Sequence, residues 1–284
     1  MQENIKPPSK NFSWIRNELH IFLTAVMFLT RIRVPKNIDH SPAYLEKSPK
    51  YFPVIGWIVG GISVLTYLVF KKYTTTDIGI IASMIAGILT TGAFHEDGFA
   101  DVSDAFGGGW TKEKILMIMK DSRIGAFGAI GIWVILTSKF VLVKELPQYT
   151  PDLNHPTSNL FYNYRFFIAI IFAAHSLSRL MPVWIIQFSS YVTNPDQGKS
   201  KPLADKKLST TAFLIANCFG LLPFIFLSPE FIFTIIPVGY ITYEMLRYFQ
   251  KWIGGYTGDC LGAVQQVTEL TFYLSALIVW KYIA

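Results

Sequence analysis

Charged residues and cysteines are both scarce in this sequence. Only 15% of the 284 residues are charged, against about 25% in an ordinary soluble domain, whereas 51% are hydrophobic. This shortage of charge argues against a soluble globular protein and indicates a membrane protein. The two cysteines, Cys218 and Cys260, suggest neither a disulfide framework nor a thiolate metal site. Basic cytoplasmic loops explain the net charge of +6, so we expect no nucleic-acid partner.

Several apolar runs reach or approach the length that crosses a bilayer, about 17 to 25 residues. Five cover residues 54–70, 78–94, 125–143, 166–188 and 211–227, and two weaker ones cover 231–246 and 268–284. We therefore expect an all-α fold, a polytopic membrane bundle of six or seven transmembrane helices after a short interfacial or re-entrant N-terminal helix. One domain is predicted over 1–284, with a polar extension at 1–20 and an outside loop at 145–164.

Lysine and arginine are unevenly distributed between the two sides of this bundle. The loops at 31–53, 95–124, 189–210 and 247–267 hold fifteen of them, whereas the loops on the other side hold four. Short loops rich in basic residues mark the cytoplasmic side of a membrane protein. The first four loops are therefore predicted to face the cytoplasm.

One of these loops begins with an unusual concentration of acids. The stretch "TGAFHEDGFADVSDAFGGG" places Glu96, Asp97, Asp101 and Asp104 directly after an apolar run. On a helix the three aspartates, at i, i+4 and i+7, share one face, and Glu96 lies about a quarter turn away. Their repulsion is strong near a membrane, where the effective dielectric constant is low, so a cation is expected. Carboxylate oxygens suit Mg²⁺, with Mn²⁺ as the alternative.

The residues after the acids favour a ligand site over a solvated loop. Three glycines, including Gly108, are predicted to end the helix in a turn whose N–H groups can face a phosphate. The next segment, "TKEKILMIMK", reads as a membrane-surface helix capped by Thr111. It is followed by Lys120, Asp121 and Arg123, which add two cations and a carboxylate beside another glycine-rich turn.

Three further positions are candidates, each with a structural alternative. Asp259, next to Gly258 in "GGYTGDCLGA", can meet a phosphate or a second metal, or can belong to a helix-packing turn. Arg179 lies in an apolar run and is predicted to face the bundle interior, where it contacts either a substrate phosphate or an acidic side chain. Arg31, in "FLTRIRVP", can bind substrate or anchor the chain at the interface.

The motifs "HEDGFADVSDAFGGGW", "MKDSRIGAFGA" and "GGYTGDCLGAVQQVTE", with "FLTRIRVP" and "YFPVIGWIVGG", resemble the cobalamin synthase family, the adenosylcobinamide-GDP ribazoletransferases. The resemblance runs from about residue 28 to residue 269 and implies a Mg²⁺-dependent phosphotransferase of the bacterial inner membrane. The distribution of lysine and arginine predicts that its active site faces the cytoplasm. In that family a ribose hydroxyl of α-ribazole, or of its 5′-phosphate, attacks the corrinoid-linked phosphate of adenosylcobinamide-GDP, and GMP leaves. The implied partners are these two substrates and the lipid bilayer; a homo-oligomer is left open.

Site residues are assigned by combining these motifs with the chemistry of the side chains. The resemblance implies that the metal ligands are Glu96, Asp97, Asp101 and Asp104. The catalytic candidates are those in the matched motifs with acid, base or charge-neutralising groups: Asp104, Asp121, Arg123 and Asp259. The substrate-binding candidates are basic residues and glycines near them: Arg31, Lys120, Arg179, Gly108 and Gly258.

Two other classes of membrane protein share some of these features. A divalent-cation transporter also clusters acids, but here they lie at the end of a span rather than at its middle, and no repeated half is found. A lipid phosphotransferase that uses a CDP-alcohol shares the chemistry, but "DGFAD" has Asp101 where that pattern has arginine.

Overall fold

The computed structural model describes residues 10–35, 42–148, 164–192 and 207–283. The predicted polar extension and the predicted outside loop lie largely outside these residues. Throughout the described part the chain is helical, and its one β-type pairing is an isolated parallel bridge between Tyr191 and Tyr256. The predicted all-α class is confirmed.

The α-helices are numbered here in chain order. They are α1 (Lys10–Leu29), α2 (Pro42–Lys47), α3 (Phe52–Tyr73), α4 (Thr76–Thr91), α5 (Phe94–Gly108), α6 (Lys112–Met119), α7 (Ala126–Glu145), α8 (Arg165–Phe188), α9 (Thr210–Leu221), α10 (Ile235–Ile253) and α11 (Gly258–Tyr282). Short 3₁₀ helices cover Ser48–Tyr51, Leu222–Phe226 and Pro229–Thr234.

Not every helix has the length and hydropathy of a simple membrane span. Among the described residues, three segments are long and apolar enough to cross a membrane: Ala43–Tyr73, Ala126–Glu145 and Arg165–Phe188. The helices Thr76–Thr91 and Phe94–Gly108 meet the same criterion only as a pair, and a bend of 87° separates them. The segment Thr210–Phe226 is apolar but shorter. By length and composition the described ranges therefore contain three spans, or four with the bent pair, alongside α9, α10 and α11.

Helices α3, α8 and α11 form the centre of the bundle. Helix α3 packs against α4 and α8, and α11 packs against α5 and α8. Helix α8 is the most enclosed of the apolar spans, with 83% of its apolar window buried. At its contact with α3, a Cβ on Gly56 would collide with the backbone of His175, so glycine permits this close approach.

The bend between α4 and α5 turns the acidic helix across the end of the bundle. Gly92 and Ala93 both have left-handed backbone conformations, with φ of 69° and 58°. The Arg31 side chain packs against Gly92, and the Arg31 backbone N–H donates to the carbonyl of Thr90 at 2.7 Å. A Cβ at position 92 would collide with the Arg31 side chain, so the turn requires glycine there. This turn determines where α5 begins.

Candidate active site

The acidic stretch forms a regular helix, as its spacing predicts. Helix α5 runs from Phe94 to Gly108, and the N–H of Gly109 closes it on the carbonyl of Ala105 at 2.9 Å. Asp97 is exposed and Asp101 is half-buried on the outer face of this helix. These two carboxylates stand one turn apart, and Asp101 experiences the negative charges of Asp97 and Asp104.

Asp259 joins these acids where α5 crosses α11. A Cβ added to Gly98 would lie 3.0 Å from the Cα and carbonyl oxygen of Asp259, so the two backbones are in close contact. Gly262, one turn further along α11, packs in the same way on the backbone of His95. The carboxylate of Asp259 therefore interacts electrostatically with Asp97 and Asp101, although more than 150 residues separate them in sequence.

Asp104 has a different partner from the other acids. Its two carboxylate oxygens accept the backbone N–H groups of Gly125 and Gly128, at 2.7 and 2.8 Å. A Cβ on either glycine would collide with this carboxylate. Asp104 thus holds the N-terminus of α7, where backbone N–H groups and the helix dipole both favour an anion. This geometry explains the glycines of "SRIGAFG" by packing.

The loop between α6 and α7 contains the other charged candidates. Arg123 forms a bidentate ion pair with Asp121, with Nη2 at 2.6 Å from Oδ2. This hydrogen bonding lowers the pKa of Asp121 to about 2. The contact between Asp104 and Gly125 ties the loop to the C-terminal half of α5, and Lys120 is exposed in it.

The remaining surface candidates lie around the same end of the bundle. Arg31 packs at the turn that precedes α5. Gly108 is exposed in the last turn of α5, and Gly258 is exposed at the first turn of α11, where nothing lies within 4 Å of an added Cβ. Thr111 caps helix α6 as predicted, because its hydroxyl accepts a hydrogen bond from the N–H of Lys114. The apolar face of α6, however, is buried in the bundle and does not lie on the membrane surface.

Glu96 points away from the aspartates into a buried polar cluster that the sequence analysis did not identify. Its Oε1 accepts Nε2 of Gln266 at 2.9 Å. Gln266 Oε1 accepts Nζ of Lys139 at 3.2 Å, and Lys139 also pairs with Glu269 Oε1 at 3.2 Å. Gln265 completes the cluster by donating to Glu269 Oε2 at 2.7 Å. Polar residues inside apolar segments, in "VQQVTE" and at Lys139, were the available signal.

Arg179 faces the interior as predicted and lies beside this cluster. It is 3% exposed, and its Nη1 donates to the His175 carbonyl at 3.1 Å and lies 3.2 Å from His175 Nδ1. The negative charges of Glu269 and Glu96 act on it. The cavity shared by these side chains measures about 40 Å³, which is room for water but not for a diphosphate. The geometry favours the structural alternative for Arg179.

The surface carboxylates have the chemistry of a divalent-metal site but do not form a complete one. No group of three or more His, Cys, Asp and Glu side chains within the described ranges is placed to hold a metal ion by itself. Mg²⁺ is commonly bound by one or two carboxylates, with waters and substrate phosphates as the other ligands. Exposed Asp97 and half-buried Asp101, whose charges repel, fit that pattern.

Comparisons with known proteins agree with this picture. Residues 21–277 match the protein family described as cobalamin-5-phosphate synthase. Adenosylcobinamide-GDP ribazoletransferases from Shewanella woodyi and Leptospira interrogans are 38% and 39% identical to this chain, over 93% and 95% of its length and 97% and 99% of theirs. The protein of that name from Vibrio cholerae is 36% identical over 93% of this chain and 95% of its own. No solved structure matches.

Proposed function

Because this chain belongs to the cobalamin-5-phosphate synthase family, it joins cobinamide-GDP and ribazole late in cobalamin biosynthesis, and we propose that the carboxylates of α5 and α11 carry out this transfer with Mg²⁺. In the proposed reaction a ribose hydroxyl oxygen bonds to the corrinoid-linked phosphorus. The bond from that phosphorus to the bridging oxygen of GMP breaks, and GMP leaves. The hydroxyl proton passes to a base.

The observation that supports this proposal is the convergence of acids at the α5–α11 crossing. Asp97 and Asp101 stand on one face of α5, and Asp259 adjoins them because Gly98 lets the two backbones touch. Three neighbouring carboxylates repel one another, and a bound cation relieves that repulsion; a diphosphate substrate needs a cation to neutralise its charge.

We assign a separate role to each acid from its surroundings. Asp97 and Asp101 would hold Mg²⁺, which when bound neutralises charge on the diphosphate and its transition state. Asp259 lies on α11 beside these two acids and is the proposed base that takes the proton of the attacking hydroxyl. Asp104 holds α7 through both of its oxygens and positions the loop at the edge of the site.

Cations around the acids are proposed to bind the diphosphate. Arg31 lies at the turn before α5, and Lys120 lies in the loop that Asp104 ties to α5. Arg123 is already paired with Asp121, so we assign that pair to loop structure. The proposed location is the bacterial inner membrane, with this end of the bundle in the cytoplasm, because the loops here are rich in lysine and arginine.

Replacement of Asp101 tests the proposal directly. Asp101→Asn keeps the size of the side chain but removes a negative charge, so ribazole transfer should fall by about a hundredfold or more and the Mg²⁺ concentration for half-maximal rate should rise. The assay uses detergent-solubilised protein, adenosylcobinamide-GDP and α-ribazole across a Mg²⁺ titration. Glu113→Gln, at an exposed acid of α6, is the matched control. Normal turnover of Asp101→Asn at ordinary Mg²⁺ would contradict the assignment.

A further inference from the structure

The carboxylate of Glu96 lies on a different side of α5 from that of its neighbour Asp97. Successive residues on a helix are about 100° apart, so adjacent acids need not share a site. Asp97 is exposed, whereas Glu96 is half-buried and turned towards the bundle: its Oε2 is buried, and its Oε1 accepts a hydrogen bond from Gln266 Nε2 at 2.9 Å. We propose that Glu96 is a positioning residue that locks α5 onto α11, and that it does not bind the metal. This inference rests on the proposed function.

The contact of Glu96 belongs to a continuous chain of buried hydrogen bonds through three helices. Gln266 of α11 donates to Glu96 of α5 and accepts from Lys139 of α7, and Lys139 pairs with Glu269. Gln266 and Glu269 are each 2% exposed, and Lys139 is 8% exposed. Because unpaired polar groups at this depth are strongly destabilising, these hydrogen bonds define one relative placement of the helices.

This placement determines where the surface aspartates meet. Gln266 is seven residues after Asp259 on α11, so both lie on nearly the same face, two turns apart. Gly98, which touches the backbone of Asp259, is two residues after Glu96 on α5. The Glu96–Gln266 hydrogen bond and the Gly98–Asp259 contact together fix the rotation and the sliding of α5. The distance between Asp101 and Asp259 follows from them.

Electrostatic balance also retains the Glu96 carboxylate inside the bundle. Lys139 and Arg179 carry positive charge into the cluster, and Glu96 and Glu269 carry negative charge. Turning Glu96 outward to a metal would leave an excess of buried positive charge, which is costly in a low-dielectric interior. Glu96 and Arg179 line the same cavity of about 40 Å³. Within the described structure, Oε2 of Glu96 and Nε of Arg179 have no hydrogen-bond partner.

A charge exchange separates positioning from metal binding. Glu96→Gln keeps one acceptor oxygen but removes the buried negative charge that balances Lys139 and Arg179 and weakens the hydrogen bond from Gln266, so kcat should fall ten- to hundredfold. The affinity for Mn²⁺, measured by electron paramagnetic resonance on the solubilised protein, should stay within about twofold of the original. The double variant Glu96→Gln with Gln266→Glu keeps the net charge and an amide-to-carboxylate hydrogen bond. It should regain most of the lost kcat, although position 96 then has no carboxylate.

The competing role predicts different results. If Glu96 is a metal ligand, Mn²⁺ affinity falls in both variants as it does in Asp101→Asn, and the exchange restores nothing; that result would overturn the inference. If Asp101→Asn binds Mn²⁺ normally while the exchange still rescues kcat, the metal assignment fails but the positioning role stands.

A second comparison applies if the exchanged protein does not fold. Glu96→Ala and Gln266→Ala should each lower kcat with Mn²⁺ binding retained, and the double variant should lose much less than the two losses combined, because each substitution removes the same Glu96–Gln266 hydrogen bond. Fully additive losses would show that the two residues act separately and would contradict the inference.

Discussion

Asp104 is the acid of α5 whose environment is most distinct at the residue scale. Both of its oxygens accept backbone N–H groups at the start of α7, an arrangement that stabilises a helix N-terminus. Asp97 and Asp101 have no comparable helix-capping bonds among the described contacts. Three aspartates on one helix face therefore have two roles: Asp104 caps the N-terminus of α7, whereas Asp97 and Asp101 belong to the solvent-facing site.

This difference predicts how stability responds to substitution. Asp104→Ala removes both acceptors and should lower the free energy of unfolding by about 1–3 kcal/mol, together with a loss of activity. Asp104→Asn, which retains one acceptor oxygen, should be intermediate. Thermal unfolding in detergent measures the effect, with Asp97→Asn as the control that should unfold near the original temperature. An unchanged unfolding temperature for Asp104→Ala would show that the contacts with Gly125 and Gly128 are not stabilising.

Sequence patterns alone identified the direction of several side chains but not their partners. The i, i+4, i+7 spacing correctly predicted the shared face of Asp97 and Asp101, and the apolar surroundings of Arg179 correctly predicted that it faces inward. The partners come from other helices: Gln266 for Glu96, Gly125 for Asp104. Such contacts depend on how helices cross, and one sequence contains no signal for that.

At the scale of the helices, the α5–α11 crossing is the contact on which the site depends. Gly98 allows it because its neighbour is backbone, which cannot move aside as a flexible side chain can. The bend of 87° between α4 and α5 brings α5 to this crossing. The apolar run predicted at 78–94 corresponds closely to α4, but the bend depends on Gly92 and Ala93 and on the packing of Arg31 from another helix.

A larger residue at the crossing should separate the acids. Gly98→Val places side-chain atoms against the backbone of Asp259, so transfer activity should fall at least tenfold while much of the protein still inserts and folds. Gly239→Val is the matched control, because α10 has nothing within 4 Å of a Cβ there and both substitutions have the same effect on helix propensity. Equal activity of the two variants would show that close approach at Gly98 is not required.

At the scale of the whole molecule, the surface site candidates lie at one end of the helix bundle, and an ion pair lies at the other end. At the first end, Arg31 contacts the turn before α5, Asp104 of α5 contacts Gly125, and Gly98 of α5 contacts the backbone of Asp259. At the opposite end Lys144 of α7 pairs with Asp77 of α4 at 2.8 Å. The predicted alternation of loops is consistent with this division. The number of spans was harder to predict because α9 is apolar but short, and α10 and α11 mix apolar and polar residues.

This division predicts how the protein lies in the membrane. In a background with Cys218→Ser and Cys260→Ala, a cysteine at Lys114 should react with an impermeant thiol reagent only from the cytoplasmic side. A cysteine at Thr74 should react only from outside. Both positions are exposed, and α4 with its bend separates them. Labelling of Lys114→Cys in intact cells would reverse the proposed orientation.

Glu96 and Asp97 point in different directions from α5, and this limits which changes of the α5 sequence the protein can tolerate. Substitutions can alter the surface of α5 one side chain at a time, but inserting one residue between Ala93 and His95 would rotate everything that follows by about 100° and bring His95 to the place of Glu96. The interior would then lose the acid that Gln266 contacts. At the same time Asp101 would move away from Asp259, and Asp104 would move away from the start of α7. Helix α5 can therefore change in composition far more readily than in length.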